Sequence, residues 1–259
     1  MASHIDMAGK VAVVTGGGRG VGKGITERLL EHGAEVVVCG RSELTDLPTA
    51  AGRAASFVQA DVRDPTQVQS VVDAALERHG RLDVMVANAG GTAAPNDTAT
   101  VSPRYHAGII ALNLTAALDC ACAAYRAMAP QPEGGHVVFI SSVASSFASV
   151  GTAAYGASKA GVDSLGRTLA VEWAPKVRVN VVTAGLVYTE QAELHYGADG
   201  GAAVGATIPM GRMARPADIG DGVLLLSSEY AGFVTGANLL VHGGGEKPAF
   251  LDAAQSAGD

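Results

Sequence analysis

Short apolar runs alternate along this chain with longer stretches whose apolar positions recur at helical spacing. The runs Val11–Thr15, Glu35–Cys39, Ser56–Ala60, Leu82–Asn88, His136–Ser141, Arg178–Thr183 and Asn238–Val241 are mostly β-branched and apolar at successive positions. A strand that is apolar on both faces belongs to a sheet covered on both sides. Helical stretches fall between them, near Gly20–Glu31, Pro65–His79, Pro103–Met128, Ala153–Trp173 and Pro216–Ser227. This alternation predicts an α/β domain, a doubly wound parallel sheet of about seven strands with helices on both faces.

One segment breaks the pattern. Between Tyr188 and Pro209 the chain is rich in glycine and alanine and carries neither period. Connections in compact domains are usually a few residues long, so this stretch, about 188–209, is expected to be a mobile lid over a site. A disordered surface insertion is the alternative.

At 259 residues the chain has the size of one large α/β domain, expected over 10–245, with an N-terminal extension at 1–9 and a tail at 246–259. The opening MASHIDMAGK lacks the apolar segment of a secretory signal, and Met7 is expected to be the natural start after an appended MASHID. Hydrophobic residues make up 48% of the chain and charged residues 17%, a balance suited to buried strands under helices. A net charge of −7 with scattered basic residues argues against nucleic-acid binding. No unbroken apolar run reaches the roughly 18 residues of a bilayer span, so no membrane segment is expected. Cys39, Cys120 and Cys122 make no disulfide framework, which suits a reducing cytoplasm. The histidines are dispersed without metal-ligand spacing, so no metal site is expected.

The first strand runs into Thr15-Gly16-Gly17-Gly18-Arg19-Gly20-Val21-Gly22, and a helix follows. Glycines let the backbone approach a pyrophosphate, and a helix N-terminus supplies free N–H groups and a positive dipole end. The turn therefore reads as a Rossmann-type dinucleotide site, with Gly16, Gly18, Arg19, Gly20, Val21 and Gly22 as candidate contacts.

With that turn, the sequence resembles the short-chain dehydrogenase/reductase family in its compact single-domain branch. Further motifs follow in the family's order from Lys10 to Gly244: Asp61-Val62, Asn88-Ala89-Gly90, Asn113, Ser142, the Tyr155/Lys159 pair, Arg178-Val179-Asn180, Ala184-Gly185 and Thr189. Three positions depart from the usual pattern: Ala87 for an Asn, Ala184 for a Pro, and His242 for an Asp or Asn. The resemblance implies cofactor contacts from Asp61, Val62, Asn88, Ala89, Gly90, Gly185, Val187 and Thr189, and a long-helix interface that commonly gives tetramers; a homo-oligomer, tetramer or dimer, is expected.

Tyr155 and Lys159 are four apart in a helical stretch, so they share a face. A nearby ammonium, aided by an oxidised nicotinamide, should lower the phenol's pKa and fit it for proton transfer at a carbonyl or alcohol oxygen. Among several serines, the family spacing selects Ser142 as the donor to that oxygen. By the same resemblance Asn113 holds a relay water, and Lys159 also binds the nicotinamide ribose. The expected activity is hydride exchange between a nicotinamide cofactor and a small-molecule carbonyl or secondary alcohol. Reduction of a 3-oxoacyl thioester and a non-catalytic, cofactor-binding paralogue are the alternatives.

The end of the second strand decides between cofactors. An acid there accepts the ribose 2′-hydroxyl of NAD and repels the 2′-phosphate of NADP. Here Cys39 and Gly40 precede Arg41 and Ser42, and a guanidinium suits phosphate. NADP(H) is therefore favoured over NAD(H), with Arg19 assisting; Glu43 lies close enough to serve a ribose if the loop turns. The substrate pocket is expected among Ala94, Pro95, Ser145, Phe147, Val187, His195 and Tyr196, with no role assigned to the last two.

Overall fold

The computed structural model describes residues 5–192, 196 and 201–245. The elements run β1 (Val11–Thr15), α1 (Gly20–Glu31), β2 (Glu35–Gly40), a small hairpin of β3 (Thr49–Ala50) and β4 (Arg53–Ala54), β5 (Ser56–Gln59), α2 (Pro65–His79) and β6 (Val84–Ala87). Next come α3 (Pro103–Ile110), α4 (Ala116–Met128), β7 (Gly135–Ser142), α5 (Ala153–Trp173), β8 (Val177–Ala184), α6 (Ala202–Ala206), α7 (Pro216–Ser227) and β9 (Asn238–Val241). Seven strands form one parallel sheet in the order β5-β2-β1-β6-β7-β8-β9. The chain winds outward one way from β1 and the other way from β6, so the order reverses between these strands and leaves a crevice at their carboxyl ends.

Alternation along each strand sorts the core into two layers. In β1, Val11 and Val13 join one cluster with residues of α2, α4 and α5, whereas Ala12 and Val14 join the other with residues of α1 and α7. Both sets are buried, which is why the strands read as continuous apolar runs. The packing extends before β1: Met7 is 2% exposed and its N–H donates to the His32 carbonyl at 2.8 Å.

Four helices and the strands β1 and β9 keep the bounds expected from the sequence; the other strands differ by a residue or two at an end. Strand β6 is shorter than 82–88 because its flanks bond elsewhere. The Asp83 carboxylate accepts from Val11 N–H at 3.0 Å and from Arg81, and Asn88 N–H donates to Thr15 Oγ1 at 3.0 Å. The hairpin β3–β4 has two-residue strands around Ala51 and Gly52, both at positive φ, and shows no period in the sequence.

The helix expected over Pro103–Met128 is interrupted by a π-turn at Ala111–Thr115. Its middle residue, Asn113, donates from Nδ2 to Ile109 O at 3.0 Å and to Gly91 O at 2.9 Å, and its Oδ1 accepts from Gly91 N–H at 2.8 Å. A side chain that bonds the carbonyl four residues back competes with the regular ladder and widens the turn. With mean hydropathy 1.7 over an 18-residue window, the same stretch is long and apolar enough for a bilayer by composition alone. Here its alanine-rich face, including Ala117, Ala121 and Ala124, packs in the core.

Helices α1 and α7 cross where both carry glycine. A Cβ on Gly24 would strike Pro216 backbone atoms, with Pro216 O at 2.6 Å, and one on Gly220 would stand 2.8 Å from Gly24 O. Because backbone has to move to admit a methyl, Gly24→Ala is expected to destabilise the fold by about 1–3 kcal/mol. A chemical-denaturation midpoint equal to that of the starting protein would contradict this close approach.

Candidate active site

At the crevice, the turn between β1 and α1 is built around glycine. Gly16 and Gly20 have φ of 64° and 51°, and a Cβ on Gly22 would collide with the Gly16 carbonyl. Thr15 ties this turn to the loop after β6, since its Oγ1 accepts from Asn88 N–H at 3.0 Å and from Ala89 N–H at 2.9 Å. Asn88 Nδ2 also donates to Thr15 O at 2.8 Å, so Asn88 serves the backbone of the crevice. Gly18 and Val21 flank the turn, and Arg19 is exposed at the start of α1. Gly20 N–H donates to the Glu190 carboxylate at 2.9 Å. An anionic group on this helix end is what an open N-terminus attracts, so these residues fit a pyrophosphate.

At the end of β2 the Cys39 thiol is buried, which pushes it up to about 11, and it faces the core rather than a ligand. Arg41, Ser42 and Glu43 are exposed at the sheet edge. The Arg41 carbonyl accepts from Gln59 Nε2 at 2.9 Å, and its guanidinium has no hydrogen-bond partner among the described residues. Asp61 pairs with Arg63, whose guanidinium holds the carboxyl at about 2, and Val62 is buried beside it.

Ser142 ends β7 and caps the following turn, with its Oγ accepting from Ala144 N–H at 3.2 Å. Tyr155 and Lys159 project from successive turns of α5, with Lys159 Nζ 5.7 Å from the tyrosine ring centroid. Lys159 is 5% exposed, and its ammonium donates to Ile140 O at 2.9 Å. A Cβ on Gly90 would stand 2.6 Å from Asn113 Oδ1 and 3.3 Å from Lys159 Nζ, so a glycine there lets the two polar groups approach the same spot. Ser142, Tyr155, Lys159, Asn113 and Gly90 thus meet at one edge of the sheet.

The electrostatics differ in part from the sequence expectation. Burial lowers Lys159 to about 8, against the opposing charge of Asp163. Tyr155 lies above its ordinary value, not below: burial raises it, the Ser142 hydrogen bond lowers it less, and Tyr196 raises it further. Lys159 is turned toward the ring and the Ile140 carbonyl, which limits what the chain's own ammonium does for the phenolate.

Two residues near the site were missed in the sequence. Asp163, one helical turn beyond Lys159, is 8% exposed and its Oδ1 has no hydrogen-bond partner among the described residues. An acid four residues after the lysine, in an otherwise apolar helix face, was the available signal. Glu190 had no signal, since its contact with Gly20 spans 170 residues.

Of the expected pocket residues, Phe147 lines a cavity with Val143, Leu186, Ile208 and His242. Val187 is instead buried and bridges to Ala214, while Ala94, Pro95 and Ser145 lie outside this lining. Gly185 lines it as well, and Thr189 packs beside Gly20. Tyr196 is close enough to Tyr155 to raise its pKa. A second cleft is lined by Tyr155 itself, with Thr92, Tyr105 and His106. His195, most of the 193–200 stretch and the tail at 246–259 lie outside the described residues. Among the described residues no cluster of histidine, cysteine and acidic side chains is arranged to hold a metal.

A family model described as enoyl-(acyl carrier protein) reductase matches residues 16–246. The chain is 35% identical over 242 residues to cis-4-hydroxycyclohexanecarboxylate dehydrogenase of Sinomonas cyclohexanicum, covering 92% of this chain and 96% of that one. It is 32% identical over 246 residues to the 3-oxoacyl-acyl-carrier-protein reductase of Escherichia coli, covering 93% and 98%. The structure of a short-chain dehydrogenase/reductase of Serratia marcescens superposes with a TM-score of 0.81 at 28% identity, covering 92% and 98%.

The Lys159 ammonium, followed by NMR with lysine labelled at Cε, is expected to titrate near 8. Asp163→Asn removes the opposing charge, so the midpoint moves to lower pH. An unmoved midpoint in that variant would contradict the pairing.

Proposed function

The chain belongs to the short-chain dehydrogenase/reductase family, and on that premise we propose that Tyr155 exchanges a proton with the reacting oxygen while Ser142 holds that oxygen by a hydrogen bond. It is an oxidoreductase of carbonyl and alcohol substrates. The nicotinamide cofactor supplies or accepts the hydride when bound. In reduction, the Tyr155 hydroxyl gives its proton to the carbonyl oxygen; in oxidation, the phenolate takes the alcohol proton. Lys159 holds positive charge beside the ring, and Asn113 keeps the π-turn open next to it. The observation that carries this reading is the meeting of Ser142, Tyr155 and Lys159 beside a glycine turn whose N–H already binds a carboxylate.

A panel of ketones and alcohols, assayed with NADPH and NADH by absorbance of the reduced nicotinamide, tests it. Tyr155→Phe is expected to lose about 100-fold or more in kcat while still binding cofactor. Full turnover by that variant would remove Tyr155 from the chemistry.

We read the cofactor as NADP(H). Exposed Arg41, whose guanidinium has no hydrogen-bond partner among the described residues, Ser42 beside it and Arg19 across the turn support this, and the buried Cys39 offers no acid for a ribose. Arg41→Ala is expected to weaken NADPH binding about tenfold and leave NADH binding nearly unchanged. Equal affinities for the two cofactors in the starting protein would refute the assignment.

A second reading, reduction of a 3-oxoacyl thioester, draws on the similarity to the Escherichia coli reductase. Comparable similarity to an alicyclic hydroxyacid dehydrogenase supports a free small molecule instead. Activity on an acyl-carrier thioester against a free ketone discriminates the two. Assembly into dimers or tetramers is a further part of this proposal, supported by exposed Leu225 of α7, Tyr230 and Phe233 after it, and Leu240 of the edge strand β9.

A further inference from the structure

Three neighbouring strands end in register beside the site: Ser142 of β7 pairs with Ala184 of β8, which pairs with Val241 of β9. The next residues along the chain, Val143, Gly185 and His242, all line the cavity near Ser142. Two strand spacings, about 10 Å, therefore separate the backbones of Ser142 and His242. Gly185 makes the approach possible, since a Cβ there would stand 2.7 Å from His242 Cα and Cβ.

The remaining side chains of the wall, Val143, Phe147, Leu186 and Ile208, offer a ligand no side-chain hydrogen bond. His242 does. Gly244 N–H donates to its Nδ1 at 3.3 Å, which makes that nitrogen the acceptor and leaves the ring proton on Nε2. Nε2 has no hydrogen-bond partner among the described residues.

We propose that His242 is a specificity-determining residue whose Nε2–H selects substrates with an apolar body and a second, uncharged acceptor a few bonds from the reacting carbonyl, such as an ester or amide carbonyl. This rests on the reductase reading above. An apolar wall disfavours charged groups, and a plain ketone leaves the donor unpaired once water is displaced. A site with a donor aimed at a substrate acceptor rejects the analogue that lacks it more strongly than apolar packing can.

The test compares ethyl 3-oxobutanoate with 2-heptanone, which has equal chain length and no second acceptor. The ratio of their kcat/KM values is measured in the starting protein, His242→Phe and His242→Gln; intrinsic reactivity cancels between proteins. His242→Phe, which keeps a ring without the donor, is expected to lower the ester-to-ketone ratio about tenfold or more. His242→Gln, which keeps an N–H at similar reach, is expected to hold it within about threefold. An unchanged ratio in His242→Phe overturns the proposal, as does an equal fall in both variants, which would mark a packing effect. Failure of the starting protein to turn over any ketone with either cofactor would instead defeat the reductase reading, and this assignment with it. Melting temperatures of the variants establish that they are folded.

Discussion

Enclosing an ammonium in a protein costs several kcal/mol unless fixed dipoles and charges replace the water it loses. Lys159, at 5% exposure, faces that constraint, and much of the site is arranged around it. The Ile140 carbonyl accepts a hydrogen bond from it, the Tyr155 ring lies under it, Asp163 supplies a negative charge one turn away, and Gly90 has no side chain to crowd it. Even so, desolvation outweighs Asp163 and leaves the lysine at about 8. A charge so balanced can respond to a neighbouring tyrosine's gain or loss of a proton, whereas a fully solvated lysine would not.

The surroundings of Lys159 depend on elements that do not themselves carry charge. Asn113 departs from the helical ladder to bond both sides of Gly91, and the resulting π-turn fixes the loop after β6 against α5. Thr15 binds the same loop to the end of β1. The glycine turn and the proton-transfer residues are therefore held at one sheet edge by hydrogen bonds between the Thr15, Asn88 and Asn113 side chains and the backbone. Close helix packing at Gly24 and Gly220 secures the far face. Such indirect support explains why glycine, asparagine and threonine appear beside a site built on tyrosine and lysine.

Much of this was legible in the chain because it depends on local pattern. The strands are apolar on both faces, so their runs stand out, and Pro65, Pro103 and Pro216 mark helix starts. The glycine turn, the four-residue spacing of Tyr155 and Lys159, and the exposed Arg41 after β2 are also local features. What failed to show had no period or spanned the fold. The hairpin at Thr49–Ala54 is too short to carry a pattern, and an asparagine inside a helical stretch does not announce a π-turn.

By itself, the sequence determined the fold class, the order of the elements and the residue types at the crevice, because periodicity and turn chemistry act over a few residues. Only the tertiary structure decided how those residues act on one another. It raised Tyr155 where the nearby lysine was expected to lower it, because burial is a property of the packed site. It set Glu190 on the Gly20 N–H, and it brought His242 beside the cavity near Ser142 through the register of three strands. Desolvation and cross-strand register exist only once distant segments are in contact, and no stretch of sequence contains them.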